Sequence, residues 1–138
     1  ILTEFAYTSQ FSSHTMEYFV KLTENYNMIP VLTHVERYPA LINDPSIIGE
    51  LKDMGVIIQT NTNSYTKKAS FFSKLKLIKL IKLIKGGYID VIGSDAHSLT
   101  HNDPRTFTEA LDFISAKCGQ STVRKMMSNA EEIFNSAL

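Results

Sequence analysis

The chain has 138 residues, 43% of them hydrophobic and 20% charged, enough for one domain with a buried core. Lys and Arg total 14 and so do Asp and Glu, so no excess of charge points to nucleic acid. The single cysteine, Cys118, excludes an intrachain disulfide and fits a reducing, cytoplasmic setting, and no apolar run is long enough to cross a bilayer.

The first residues, 1–7, are already strand-like and lack an initiator Met. A strand is expected there with Glu4 in its middle, at the start of a fragment whose N-terminal part is missing. Glu4 is equally well a solvated edge residue. Ser12 and Ser13 offer N-caps for a helix with Met16, Phe19, Val20 and Leu22 on its apolar face, ending near Asn25–Asn27. His14, in its first turn, reads as exposed. A buried strand over 29–33 follows, and its apolar run breaks at once into His34, Glu36 and Arg37. Asp44 at N-cap and Pro45 at N1 start a helix that carries Ile47, Ile48, Leu51 and Met54 on one face and stops at Gly55. Val56 to Asn61 reads as a parallel strand covered on both faces, ending in the polar Gln59 and Asn61.

Residues 70–85 repeat an apolar-apolar-lysine unit, so Lys76, Lys79, Lys82 and Lys85 form a slowly rotating stripe. Such a helix can lie on a membrane, but an outer helix packed on a sheet is the simpler reading. Gly86-Gly87 ends it. A strand over 88–93 runs into Ser94-Asp95-Ala96-His97. A helix from about Pro104 carries Phe107, Ala110, Leu111 and Ile114, and two short helical pieces are expected around Val123–Met127 and Asn129–Ala137. The order β-α-β-α-β-α-β-α-α-α defines an α/β chain with parallel strands and right-handed crossovers. Four strands fit an open parallel sheet or about half of a closed β/α barrel. Polar groups after the apolar core of at least three strands favour a barrel-type site.

Glu4, His34, Asp95 and His97 supply carboxylates and imidazoles from three strands, a donor set suited to Mn, Zn or Fe. For each histidine alone, a surface or hydrogen-bonding role is as good a reading. Arg37 and Arg105 beside such a cluster point to an anionic substrate such as phosphate, the alternative being two solvent-facing ion pairs. Cys118 to Arg124 also matches Cys-x5-Arg, the pattern of thiolate phosphatases. That chemistry needs a strand before the cysteine, whereas Ala110 to Lys117 reads as helix.

His34-Val35-Glu36-Arg37-Tyr38 and Ser94-Asp95-Ala96-His97 carry a resemblance. So do Ile58-Gln59-Thr60-Asn61 with Ser64, and Asn129-Ala130-Glu131-Glu132-Ile133. The sequence resembles the metal-dependent tyrosine phosphatases of bacterial capsule and exopolysaccharide systems, the CpsB/CapC/YwqE type of the polymerase-and-histidinol-phosphatase (PHP) superfamily. The resemblance runs over nearly the whole chain. It implies a single domain over 1–138 that forms the C-terminal half or more of a distorted β/α barrel, with two or three metals in the complete barrel, commonly Mn. It implies Glu4, His34, Asp95 and His97 as metal ligands and Arg37 and Arg105 as phosphate-holding, catalytic groups. The implied partner is the phosphotyrosine tail of a bacterial tyrosine kinase, with neither nucleic acid nor a membrane span and with room for a homo-oligomer. The family's N-terminal His-x-His and further His and Asp ligands are absent from this sequence. The stretch between His97 and Arg105 is longer than usual, which makes His101 a minor alternative contact. The competing readings are another PHP phosphoesterase, of histidinol-phosphatase type, and a degenerate PHP domain that only binds partners.

Overall fold

Four short parallel strands lie side by side in the order of the chain: β1 (Leu2–Thr3), β2 (Val31–Leu32), β3 (Ile57–Asn61) and β4 (Val91–Gly93). The computed structural model describes residues 1–66, 71–97 and 105–136. Helices α1 (Ser13–Val20), α2 (Pro39–Asn43), α3 (Pro45–Asp53) and α4 (Phe71–Lys85) fall between strands. Helices α5 (Thr106–Cys118) and α6 (Gln120–Ser136) follow the last strand. Single turns of other helical type extend α1 over Lys21–Asn25 and follow β2 and β3 at Val35–Arg37 and Thr62–Tyr65. A sheet wound 1-2-3-4 has no reversal of strand order, so right-handed crossovers carry α1, α3 and α4 to one face. That is how one side of a β/α barrel is wound. A doubly wound open sheet would reverse its order. Among the described residues the sheet is not closed.

The register sorts the side chains. Thr3, Leu32 and Ile58 share one face with Thr60 and Ile92, while Leu2, Val31 and Ile57 share the other with Gln59, Val91, Asn61 and Gly93. Leu32, Ile58 and Ile92 join Phe19, Ile48, Leu51, Leu80, Leu83, Ala110 and Ile114 in one hydrophobic core. Each Leu or Ile buried there contributes about 1.5–3 kcal/mol. The opposite face carries the polar pair Gln59 and Asn61 near the C-terminal ends of the strands.

Local chemistry accounts for most boundaries. Asp44 caps α3 through its carboxylate, which accepts from the Ser46 N–H at 3.1 Å. Gly55, at φ 83°, turns the chain out of α3 as a left-handed stop. The lysine-striped α4 buries Leu80, Leu83 and Ile84 in the core, so it is an outer helix on the sheet, and none of the described helices is long and apolar enough to span a membrane. His14 is exposed, as expected.

Three expectations need correction. β1 is two residues long, so Glu4 stands just past its end and not in its middle. The strands expected over 29–33 and 88–93 form only at Val31–Leu32 and Val91–Gly93. The two short helical pieces at the end are one helix, α6. Asn129 does not break it, because its side chain turns away from the helix and donates to the Asp90 carbonyl at 2.9 Å. Pro104, Ala137, His101 and the rest of the long stretch before Arg105 lie outside the described residues.

Asp90 ties four elements together at the N-terminal edge of the sheet. Its Oδ2 accepts from the Ile58 N–H of β3 at 3.0 Å, its Oδ1 pairs with Lys52 of α3, and its carbonyl takes the Asn129 bond from α6. Asp90→Ala would leave a backbone donor and a part-buried ammonium without their acceptor. It is expected to cost ~2–3 kcal/mol, read from the urea denaturation midpoint. Asp90→Asn keeps an acceptor for Ile58 and is expected to lose about half of that.

Candidate functional site

The C-terminal strand ends all face one edge of the sheet, and each releases polar side chains there. After β1 comes Glu4. After β2 come Thr33, His34, Glu36 and Arg37, the last two on a single 3-10 turn. After β3 comes the turn Thr62–Tyr65, and after β4 come Asp95 and His97. His34 (φ 41°) and Asp95 (φ 53°) both hold left-handed backbone, a state that costs a non-glycine residue about 1–3 kcal/mol. The same sharp turn, two residues past the ends of β2 and β4, takes the chain off the sheet in both places.

Glu4, His34 and Arg37 form one cluster. Arg37 Nη1 donates to Glu4 Oε1 at 2.6 Å and lies 3.4 Å from His34 Nε2, which is 3.5 Å from the same Glu4 oxygen. Glu4 and Arg37 are about half exposed, while the His34 side chain is only 5% exposed. The Thr33 hydroxyl sits 3.1 Å from His34 Nε2 and gives its one proton to the Thr3 carbonyl at 3.0 Å. Toward His34 it is thus an acceptor, whereas the Arg37 guanidinium at the same Nε2 can only donate. His34 Nδ1 is buried with no hydrogen-bond partner among the described residues. An unpaired buried polar atom costs about 1–3 kcal/mol, and functional sites are where such costs are tolerated.

The second pair is Asp95 and His97. His97 Nδ1 lies 2.8 Å from the Asp95 carbonyl and 3.5 Å from its Oδ1, with the imidazole 78% exposed. A relay of side chains links this pair to the first cluster. Gln59 Oε1 accepts from the His34 N–H, Gln59 Nε2 donates to Asn61 Oδ1 at 2.8 Å, and Asn61 Nδ2 donates to Asp95 Oδ2 at 3.1 Å. Gly93 makes room for it: a Cβ there would stand 2.9 Å from Gln59 Nε2. Arg105 stands exposed just before α5. Its neighbour Thr106 meets Thr62, beyond the end of β3, at 3.2 Å, so α5 starts at this same edge.

Beneath the cluster lies Glu36, 6% exposed. Its Oε1 accepts from the Asn61 N–H at 2.8 Å and the Ser64 hydroxyl at 3.1 Å, and its Oε2 from the Thr60 hydroxyl at 2.9 Å. Burial raises the carboxyl above its ordinary 4.5, and these hydrogen bonds oppose the rise. Thr60 Oγ1 also meets the Tyr65 hydroxyl at 2.8 Å, and Tyr65 is held well above 10.0 by burial first and by Glu36 second. The sequence offered Gln59 and Asn61 as the polar end of a strand, and Ser64 only through the resemblance. It gave no role to Glu36, Thr60 or Tyr65. The signal that could have found them was a carboxylate flanked by His34 and Arg37 but placed next to the buried Val35.

The expected ligands thus come as two carboxylate–imidazole pairs at one edge. Among the described residues no three His, Cys, Asp or Glu converge as a ready ion site. The donor chemistry fits a divalent cation nonetheless. A guanidinium nitrogen already stands as a cation between Glu4 Oε1 and His34 Nε2, and His34 Nδ1 has no hydrogen-bond partner among the described residues. The Cys-x5-Arg stretch is excluded as a phosphate loop. Cys118 ends α5, Gly119 turns the chain, and Arg124 sits in α6 with Nη1 on Gln120 Oε1 at 3.3 Å. Burial pushes the Cys118 thiol above its ordinary 9.0, with Lys85 opposing less strongly, so it is no thiolate at neutral pH.

A singly wound parallel α/β sheet with acid, imidazole and guanidinium groups at its C-terminal edge defines a β/α-barrel class of protein. The chain belongs to the CpsB/CapC family of capsular polysaccharide synthesis, whose model matches residues 1–135. It is 32% identical to the tyrosine-protein phosphatase CpsB of Streptococcus pneumoniae over 99 residues, covering 70% of this chain and 40% of that protein. It is 29% identical to CpsB of Streptococcus agalactiae over 108 residues, 76% of this chain and 44% of that protein. A solved chain from the work on YwqE of Bacillus subtilis and CpsB of Streptococcus pneumoniae, described as unique metal-dependent tyrosine phosphatases, superposes with a TM-score of 0.72. The identity there is 26%, over 87% of this chain and 47% of the other. The chain therefore spans less than half the length of these relatives.

Two outcomes are expected. Gln59→Leu, similar in size but unable to bridge His34 and Asn61, should lower stability by ~1–3 kcal/mol in thermal denaturation. Alkylation of Cys118 by iodoacetamide should keep accelerating as pH rises past 9.0, because its thiol ionises above that value. A rate that levels off below neutral pH would instead mark an activated thiolate.

Proposed function

We propose that this chain furnishes part of the site of a metal-dependent protein-tyrosine phosphatase. Its substrate is the phosphotyrosine tail of a bacterial tyrosine kinase that controls capsule or exopolysaccharide production, in the cytoplasm. Glu4, His34, Asp95 and His97 are the metal-holding residues in this proposal, with Mn as the ion. Arg37 and Arg105 hold the phosphate. The observation that carries the reading is the Glu4–His34–Arg37 cluster, in which a cation already bridges a carboxylate and an imidazole at a strained strand end. Family membership and the two CpsB relatives support it.

When bound, a divalent ion supplies Lewis acidity to the phosphoester. The residues do the rest. Glu4 would be among the residues that hold the ion, and Arg37, freed of Glu4, would offer its planar fork to two phosphate oxygens and neutralise charge that grows in the transition state. The relay through Gln59 and Asn61 holds the His34 and Asp95 ends in fixed register, as positioning requires. Two or three ions need more donors than these four residues carry. The proposal therefore assigns the other ligands to polypeptide beyond these 138 residues. A non-catalytic binding module is the second reading, favoured by the lack of three converging ligands among the described residues.

In the intact protein, hydrolysis of phosphotyrosine peptides is expected to vanish with a chelator, return with Mn, and survive Cys118→Ser. Lysine cannot copy the guanidinium fork. Arg37→Lys is thus expected to lose at least ~10-fold in kcat/KM, about 1.4 kcal/mol, with metal content unchanged. Chelator-resistant turnover lost in Cys118→Ser would reverse the assignment, and metal binding without turnover would leave the module.

A further inference from the structure

The edge of the sheet that holds the cluster also opens a groove. Three of the connections that follow strands line it: Tyr7 after β1, Pro39, Ile42 and Asn43 of α2 after β2, and Leu75, Lys76 and Lys79 from the first half of α4 after β3. The groove has a volume of about 230 Å³ and reaches Glu36, the residue before Arg37. Glu36 and Arg37 share the 3-10 turn after β2, so groove and phosphate-binding residue leave the same strand end. All its elements leave the C-terminal ends of parallel strands, the side on which β/α folds keep their ligands.

The groove is lined by two lysines, Lys76 and Lys79, against one carboxylate, Glu36. Helix α4 carries Lys74, Lys76, Lys79, Lys82 and Lys85 and no acidic residue, and none of these lysines enters an ion pair among the described residues. Lys79 donates to Asn43 Oδ1 at 2.6 Å, which fixes its ammonium against the α2 wall. The lone acid of the lining, Glu36, spends its oxygens on Thr60, Asn61 and Ser64. Tyr7 and Leu75, 60% and 51% exposed, add apolar surface with nothing over it among the described residues. A concave channel with two ammonium groups, a phenol ring and a leucine matches an extended acidic segment better than a flat bilayer.

We propose that this groove takes acidic residues flanking the phosphotyrosine of a peptide substrate, with Lys76 and Lys79 as its specificity-determining residues. The inference rests on the phosphotyrosine reading above and adds the substrate's charge pattern. Lysine charges at the rim of a site raise encounter rate and ground-state affinity and leave the chemical step alone. Their signature is a change in KM.

The test uses the intact protein, with Lys76→Glu/Lys79→Glu set against Lys82→Glu/Lys85→Glu, the same charge change further along the same helix. Fluorescence anisotropy follows unphosphorylated tyrosine peptides flanked by glutamates or by glutamines, and kinetics follow their phosphotyrosine forms and p-nitrophenyl phosphate. The first variant is expected to weaken the glutamate peptide at least ~10-fold and to raise KM for its phosphorylated form by a similar factor. Its kcat and its p-nitrophenyl phosphate hydrolysis should stay as in the wild type, which also shows that it folds. The second variant is expected to weaken binding by a clearly smaller factor, since neither Lys82 nor Lys85 lines the groove. Equal binding of glutamate and glutamine peptides by the wild type, or equal losses in the two variants, would overturn the groove. Loss of binding to phosphatidylglycerol vesicles with peptide binding intact would assign these lysines to a membrane surface instead. If no phosphotyrosine peptide is cleaved but Lys76→Glu/Lys79→Glu still abolishes glutamate-peptide binding, the groove stands and the phosphatase reading falls.

Discussion

The buried carboxylate of Glu36 is the constraint on which the site depends. A charge taken from water costs several kcal/mol unless donors meet it. Besides its own backbone N–H, three do, from β3 or the turn beyond it: the Thr60 hydroxyl, the Asn61 N–H and the Ser64 hydroxyl. Glu36 lies between His34 and Arg37 on a single tight turn. Satisfying Glu36 therefore fixes the turn after β2 against the end of β3. The imidazole on one side and the guanidinium on the other have little freedom left. Tyr38 closes the arrangement from the other direction, its hydroxyl accepting the Phe5 N–H at 3.1 Å next to Glu4. The ends of β1, β2 and β3 are thus held by polar bonds at the same level of the sheet.

The Gln59–Asn61 relay extends this order to β4. Two carboxamides on the non-core face of β3 pass hydrogen bonds from the His34 backbone to the Asp95 carboxylate. Carboxamides suit this task because each donates and accepts without carrying charge. The left-handed turns at His34 and Asp95 store strain that the two networks offset. A site assembled from four strand ends needs such cross-links, because each strand is only two to five residues long. Strands this short would slip in register if the apolar face alone held them.

Scaffold and site use opposite faces of the same strands. Leu32, Ile58 and Ile92 anchor the helices, while Gln59 and Asn61 point the other way. The sequential strand order leaves that second face without helices from the crossovers, as in a barrel wall whose interior belongs to the site. The matches to CpsB relatives run along most of this chain at modest identity, 29–32%.

By itself the sequence determined the element types and most of their borders. Asp44-Pro45, Gly55 and Gly86-Gly87 set borders through local backbone chemistry, and the apolar periods of α3 and α5 set their buried faces. It also marked His34, Arg37 and Asp95, since ionisable residues directly after apolar strands break a pattern. It could not give the strand order, because an open sheet and half a barrel share the same alternation. It split the tail into two short helices where the chain forms one, on which Asn129 reaches the Asp90 carbonyl 39 residues away. Glu36 was the hardest to read. A carboxylate is buried only when distant donors converge on it, and the donors here lie 24 to 28 residues along the chain. Tertiary structure alone decided which acid binds solvent, which pairs with Arg37 and which holds the strand ends together, because each of those fates depends on partners that no local window of sequence contains.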